Sequence, residues 1–312
     1  MSSICFASWA KLPGCVGSCR NAAAVLDVKW ALIEEGSVPA AVIECDLLLL
    51  SSWTPVYETL LATRRGPTVV RWHSSLLQTE LSGEIETLAL IVDLLDQGRI
   101  AGIAANDHDL ALALARPRIV HLPDVLDLTE YEGVDPTALS GTNVSLFGEA
   151  HGRKSLVVQS AAFERLRRAR EGRDWTLHLN GQTRRRPFYE RWLRLVGVPY
   201  VDHGFLERGE YLSLVAGMDA GLAASLAESY GLLAADHLAL SVPVVSSSAV
   251  LSIGAGPLQA QEPWDVECVA GCLGRALDEP SLVEQARREL LERATERALE
   301  ARAAIERLIA LA

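Results

Sequence analysis

The sequence predicts an α/β protein, and three observations carry that reading. Short β-rich apolar runs alternate with longer segments of helical period along almost all of the 312 residues, the pattern of parallel sheets covered by helices on both faces. Runs such as Leu47-Leu48-Leu49-Leu50 are apolar without alternation, as expected of strands buried on both sides. The rhythm breaks between Pro123 and Thr142, where prolines, glycines and acidic residues show no sustained period, and then restarts. That stretch reads as a crossover between two lobes.

Before the break, strands are expected at residues 3–9, 46–50, 67–71, 100–104 and 118–121, with helices at 20–35, 55–63, 84–97 and 107–115. After it, strands are expected at 143–147, 175–179, 199–203, 219–223 and 243–247, and helices at 155–170, 187–196, 208–216 and 231–240. Residues 281–312 read as a C-terminal amphipathic helix, in one piece or two, with Ala286, Leu290, Ala294, Ala298, Ile305 and Leu308 on one face. The organisation that follows is a first lobe over 1–123, a crossover over 124–142, a second lobe over 143–280 and the helix over 281–312.

Composition narrows the function classes. The chain is 49% hydrophobic and 22% charged, with no run of apolar residues long enough for lipid, so a protein with no membrane span is expected. No basic residue precedes the first apolar run, which argues against a signal peptide and for a cytoplasmic location. The formal charge of −11 repels polyanions at long range, so nucleic acid is not a favoured partner. The pairs Cys15/Cys19 and Cys268/Cys272 lack the tight Cys-x2-Cys spacing and have no histidine cluster beside them. Buried thiols are expected there, and no metal.

The most informative run extends from Asp219 to Ser246. A strand ends, Glu228-Ser229-Tyr230-Gly231-Leu232 makes a turn into a helix carrying Asp236, and Val242-Pro243-Val244-Val245 opens the next strand. A turn into a helix leaves the first amides without intrahelical partners and concentrates positive dipole there, so these amides can meet phosphate or sugar oxygens. A carboxylate at the same mouth can accept hydrogen bonds from hydroxyls. Lys154, in Gly148-Glu-Ala-His151-Gly-Arg153-Lys154, is the only lysine after Lys29 in a chain that otherwise uses arginine.

These residues resemble the signature of family-4-like retaining glycosyltransferases of GT-B architecture. That signature has two acidic residues separated by seven others, then a Pro-Val-Val strand, and an earlier Phe-Gly-x-x-Arg-x-x-Lys turn. Glu228 and Asp236 stand at the acidic spacing, Gly231 and Leu232 match in register, and Lys154 falls on the lysine. Ser241 replaces the usual glycine before the strand, His151 an arginine, and Asp236 a glutamate.

The resemblance implies two Rossmann-like lobes, with acceptor binding in the first and donor binding in the second. It implies that Glu228 holds the transferred sugar, Asp236 the ribose hydroxyls, and Lys154 and Arg153 the donor diphosphate. Gly148 and the segment Ser229, Tyr230, Gly231 and Leu232 would line the same place. A fixed cation there stabilises the charge that builds on a departing diphosphate.

Weaker matches lie in the first lobe. Gly14 and Gly17, before the helix expected from Asn21, are similar to the family's glycine-rich loop, and His73 to its strand-end histidine. Arg184-Arg185-Arg186 would border the same cleft, and Asp202-His203-Gly204 the nucleotide base. The expected activity is transfer of a sugar, with retention, from a UDP- or GDP-linked donor to a hydroxyl acceptor, which could be a glycan, small molecule, protein or modified base. No cofactor beyond the donor substrate is implied. The competing readings are an inactive nucleotide-sugar-binding partner subunit and a glycosyltransferase acting on modified DNA.

Overall fold

The computed structural model describes residues 3–148, 151–170, 174–180, 186–253 and 256–311, with 13 and 14 described in backbone only. The chain divides into two compact units, one formed by Met1–Asp127 with Ala294–Ala312, the other by Leu128–Arg293.

In the first unit the order is β1 (Ile4–Trp9), α1 (Pro13–Leu26), β2 (Lys29–Ile33), α2 (Ala40–Glu44), β3 (Leu47–Ser51), α3 (Tyr57–Thr63) and β4 (Thr68–Trp72). Then follow α4 (Leu76–Leu81), α5 (Ile85–Asp96), β5 (Gly102–Ala105), α6 (His108–Leu114) and β6 (Ile119–His121). The six strands form a parallel sheet in the order β2-β1-β3-β4-β5-β6. Period-2 alternation sorts the buried side chains onto its two faces. Phe6, Leu49, Val69, Ala104 and Val120 pack with α1, whereas Cys5, Ala7, Leu48 and Leu50 pack on the other side with Val42, Tyr57 and Leu60. Each fully buried leucine of β3 contributes roughly 1.5–3 kcal/mol relative to exposure.

One expectation fails here. The helix expected over 20–35 is α1 followed by β2, because Pro13 at the first helical turn starts the helix early. Asp27, left-handed at φ 53°, ends it. β2 lies at the sheet edge and is half exposed, so it lacks the continuous apolar run that marks β3.

In the second unit a 3-10 turn (Leu128–Tyr131) precedes β7 (Thr142–Ser145), and a second 3-10 turn (Gly152–Lys154) precedes α7 (Leu156–Ala169). Next come β8 (Trp175–Leu179), α8 (Arg186–Val196), β9 (Tyr200–Asp202), α9 (Arg208–Ala216), β10 (Ala220–Leu222), α10 (Leu232–Ala239) and β11 (Val244–Ser247). β12 (Gln259–Ala260), α11 (Val266–Asp278) and α12 (Pro280–Leu311) complete the chain. These six strands also form a parallel sheet, ordered β12-β11-β10-β7-β8-β9. The core on one face joins α7, α8 and α11 to the strands, with Phe163 edge-on to Trp175 at 5.7 Å. The sequence reading assigned neither β12 nor α11.

The C-terminal helix is continuous, and its residues 294–312 group with the first unit instead of forming a part of their own. Ala301, Ala304, Ile305 and Leu308 belong to the same core as α1 and one face of the first sheet, which explains the grouping. The first unit also ends at Asp127, four residues beyond the boundary of 123 expected from the sequence. Among the described residues no helix is long and apolar enough to cross a membrane.

Candidate functional site

The second sheet has one topological switch point. The chain runs outward from β7 through β8 to β9, returns to β10 on the other side of β7, and runs outward again. Loops leaving the carboxyl ends of β7 and β10 therefore diverge, and the crevice between them is where parallel sheets bind ligands. Gly148, Arg153 and Lys154 lie in the first of these loops, and Glu228 and Gly231 in the second.

Side chains stitch the two loops together. Glu228 Oε1 accepts from Ser225 Oγ at 2.7 Å and from Lys154 Nζ, and Oε2 accepts from Arg153 Nη1 at 3.2 Å. Arg153 Nη1 also donates to the Ala227 carbonyl at 3.0 Å, and the Leu226 amide donates to the Arg153 carbonyl at 2.7 Å. Gln159 spans both loops, donating to the Lys154 carbonyl at 2.6 Å and accepting from the Ala224 amide at 2.8 Å. The carboxylate and both cationic groups are between 9% and 15% exposed. Burial alone would raise the Glu228 pKa, but Lys154 and Arg153 outweigh it and hold the carboxyl below its ordinary range.

The start of α10 completes the site. Its N-cap is Gly231, with φ 90°, and no side chain caps it among the described residues. Only glycine fits there, since a Cβ would stand 2.5 Å from Val250 Cγ1. Gly148, at φ 105°, approaches the same helix, because its Cβ would stand 2.8 Å from Leu233 Cδ1, and its amide donates to Asn180 Oδ1 at 3.0 Å. The backbone of both glycines thus lies against the first turn of α10, whose leading amides have no carbonyl within the helix to bond. Ser229 and Leu232 are half-buried on this turn, whereas Tyr230 is buried.

Of the other predicted residues, Arg186 and Asp202 line one pocket together with Gly148 and Asn180. Asp236 does not face Glu228's partners: its Oδ1 accepts from Tyr131 Oη at 2.7 Å and Arg208 Nη2 at 2.8 Å, and its Oδ2 from Arg208 Nη1 at 2.9 Å. Gly14 and Gly17 lie inside the first turns of α1 and not in a bare loop before it. Arg184 and Arg185 lie outside the described residues, and Arg186 pairs with Glu190 and Asp202. His203 stacks on His178 with ring centroids 5.2 Å apart.

His73, just past β4 in the first unit, binds Ser51 Oγ through Nε2 at 2.5 Å, and its Nδ1 is 3.9 Å from Asp124. Burial, helped by the Arg71 charge and opposed by Asp124, lowers its pKa to about 4, so it is neutral at pH 7. Ser225, Gln159 and Arg208 escaped the sequence reading. Only Ser225, three residues before Glu228, left a local signal.

No family model and no curated protein sequence matches the chain. Solved structures do. The chain is similar to Anabaena HepE, solved in complex with UDP and glucose, at 14% identity and TM-score 0.72, over 99% of this chain and 100% of that one. It is also similar to an E. coli trehalose-6-phosphate structure bound with UDP-2-fluoro glucose, at 14% identity and TM-score 0.65, over 84% of this chain and 72% of the other. A third likeness, at TM-score 0.65 and 14% identity over 84% and 73% of the two chains, is a trehalose-6-phosphate synthase studied for glycosyltransfer with retention. The chain shares the α/β fold of these structures, as the sequence led us to expect.

Proposed function

We propose that the chain is a retaining glycosyltransferase whose second unit binds a nucleotide-diphosphate sugar, most simply a UDP-sugar, and passes the sugar to a hydroxyl acceptor. The observation that carries this reading is the convergence of Lys154 and Arg153 on Glu228, in the loop that leads into α10 at the switch point of the second sheet, a helix start that no described side chain caps. The likeness to structures solved with UDP and glucose, and with UDP-2-fluoro glucose, supports that donor class.

In this reading the diphosphate takes over the two cations and the first amides of α10. Glu228, released from Lys154 and Arg153, then accepts from the hydroxyls of the transferred sugar. As the sugar–phosphate bond breaks, charge grows on the departing oxygen next to Lys154, so the cation binds the transition state more strongly than the ground state. Retention follows if the acceptor hydroxyl attacks from the side of the leaving diphosphate, which can itself take the proton. His73, neutral at working pH, is a hydrogen-bonding group of the first unit and not a cation.

Incubation with UDP-, GDP- and ADP-sugars and an acceptor panel tests this by nucleotide release and by the anomeric configuration of the product. We expect Glu228→Gln and Lys154→Gln each to lower turnover by about 10²–10³-fold, the scale on which removing one preorganised charge-stabilising group acts. Full activity in either folded variant would remove the proposed site. Nucleotide binding with no release from any donor would favour a non-catalytic binding subunit.

A further inference from the structure

The second acidic residue of the motif is already paired. Arg208, at the start of α9, forks onto both oxygens of Asp236 and at the same time donates to Glu130 Oε2 at 2.8 Å. Its guanidinium also lies over the rings of Tyr131 and Tyr211, 5.8 and 5.5 Å from their centroids. A carboxylate offers about four lone-pair positions. Three of those on Asp236 are taken by Arg208 and Tyr131, and the side chain is 2% exposed.

The next residue holds the opposite flank of the helix. His237 Nδ1 lies 2.6 Å from the Leu233 carbonyl, which can only accept, so Nδ1 carries the proton and Nε2 accepts from Ser145 Oγ at 2.5 Å. Ser145 is the last residue of β7. Gly221 of β10 admits this ring, since a Cβ there would stand 2.5 Å from the imidazole. Helix α10 is therefore fixed to α9 and the 128–131 turn on one side and to the sheet on the other, one turn after the amides that open it.

We infer that Asp236 is a positioning residue: through Arg208 and Tyr131 it holds the opening amides of α10 in register, and the ribose hydroxyls of a donor are not read by this carboxylate. The inference rests on the donor-site reading for what those amides bind, but not for the clamp itself. Burial opposes the charge on Arg208, yet Asp236 outweighs it and raises its pKa, while burial and the Asp236 charge raise that of Tyr131. Both groups keep their protons at working pH and so remain donors to Asp236.

Hydrogen exchange on the ligand-free full chain tests the clamp directly. In Asp236→Asn and in Arg208→Met, exchange of the amides 231–237 should rise about tenfold or more, the scale of losing a hydrogen bond to a charged group, with the strand amides of β7 and β11 unchanged. Tyr131→Phe keeps the fork and should give a smaller rise, about threefold, which keeps the test open if the charge variants fold poorly. The double variant Asp236→Asn/Arg208→Met should be no worse than either single one.

Calorimetry with UDP and 2′-deoxy-UDP adds the specificity arm. The wild type should bind both within about threefold, and Asp236→Asn should weaken both alike, by about tenfold. Unchanged exchange in Asp236→Asn, or a wild-type preference for UDP of more than about tenfold that Asp236→Asn erases, would overturn the inference. If no nucleoside diphosphate binds the wild type, the donor-site reading falls while the exchange comparison still decides the clamp.

Discussion

Each unit pairs a buried acidic side chain with a cation, and the two clusters are built to opposite ends. In the first unit Asp124 accepts from Arg71 at 2.7 Å, Asn106 at 2.7 Å and Ser18, and Arg71 is fully buried on β4, where the strand ladder fixes its backbone. In the second unit the cations come from a 3-10 turn in a loop, stay partly exposed, and pair with a carboxylate in the loop before a helix start that no described side chain caps. A cation held beneath the sheet surface by its own strand serves the fold. One offered by a loop at a switch point can exchange its carboxylate for an incoming anion.

The sharpest way to break this contrast is to neutralise one cation of each kind. Arg71→Met strands Asp124 as a buried charge without its main partner, and unfolding by denaturant should show a loss of about 3–5 kcal/mol. Lys154→Gln leaves Glu228 with Arg153 and Ser225, so its stability cost should be about 1–2 kcal/mol, with the effect falling on turnover instead. Equal destabilisation by the two substitutions would erase the distinction between a structural cluster and a site.

A second contrast concerns protons. His73 in the first unit and His178 in the second are both lowered to about 4, His73 by burial and then by Arg71, His178 by burial and then by its neighbour His203. Between about pH 4 and 6.5 the unfolded chain binds protons at these positions that the folded chain does not. Stability is therefore fully present above pH 6.5 and falls with pH across that window. His73→Gln should remove its share of the slope, up to about 3 kcal/mol between pH 7 and pH 4. An unchanged difference between the two pH values would mean that His73 titrates normally.

How much of this could be read from the chain follows physical lines. Strands buried on both faces announce themselves by composition, so β3, β4 and β11 were readable, and so was the approach of Lys154 to Glu228, because each lies in a short motif with a glycine whose backbone geometry the turn requires. The edge strand β2 was not readable, since an exposed edge needs no apolar run. The Gly14–Gly17 segment read as a loop although Pro13 is the residue that opens a helix. The clamp on Asp236 was out of reach, because Tyr131 stands 105 residues away and nothing local marks their pairing. The same carboxylate in the same motif position can face a ligand or a neighbouring arginine, and only the tertiary structure decides.

The smallest test compares two helix ends. In α1 the amides of Asp27 and Val28 return to the carbonyls of Ala24 and Ala23, and in α10 those of Ser241 and Val242 return to Leu238 and His237. Both patterns are Schellman closures, which place one residue in the left-handed region and favour glycine there. Asp27, at φ 53°, is among the residue types that tolerate this conformation, whereas Ser241, at φ 63°, is less suited to it. Ser241→Gly relieves a left-handed penalty of about 1–2 kcal/mol but adds unfolded-chain entropy of about 0.4–1 kcal/mol, for a net gain of about 0.5 kcal/mol. Asp27→Gly relieves less and adds the same entropy, so its midpoint in urea should hardly move. If Ser241→Gly instead destabilises the chain, the serine side chain contributes a bond at that corner that outweighs its backbone strain.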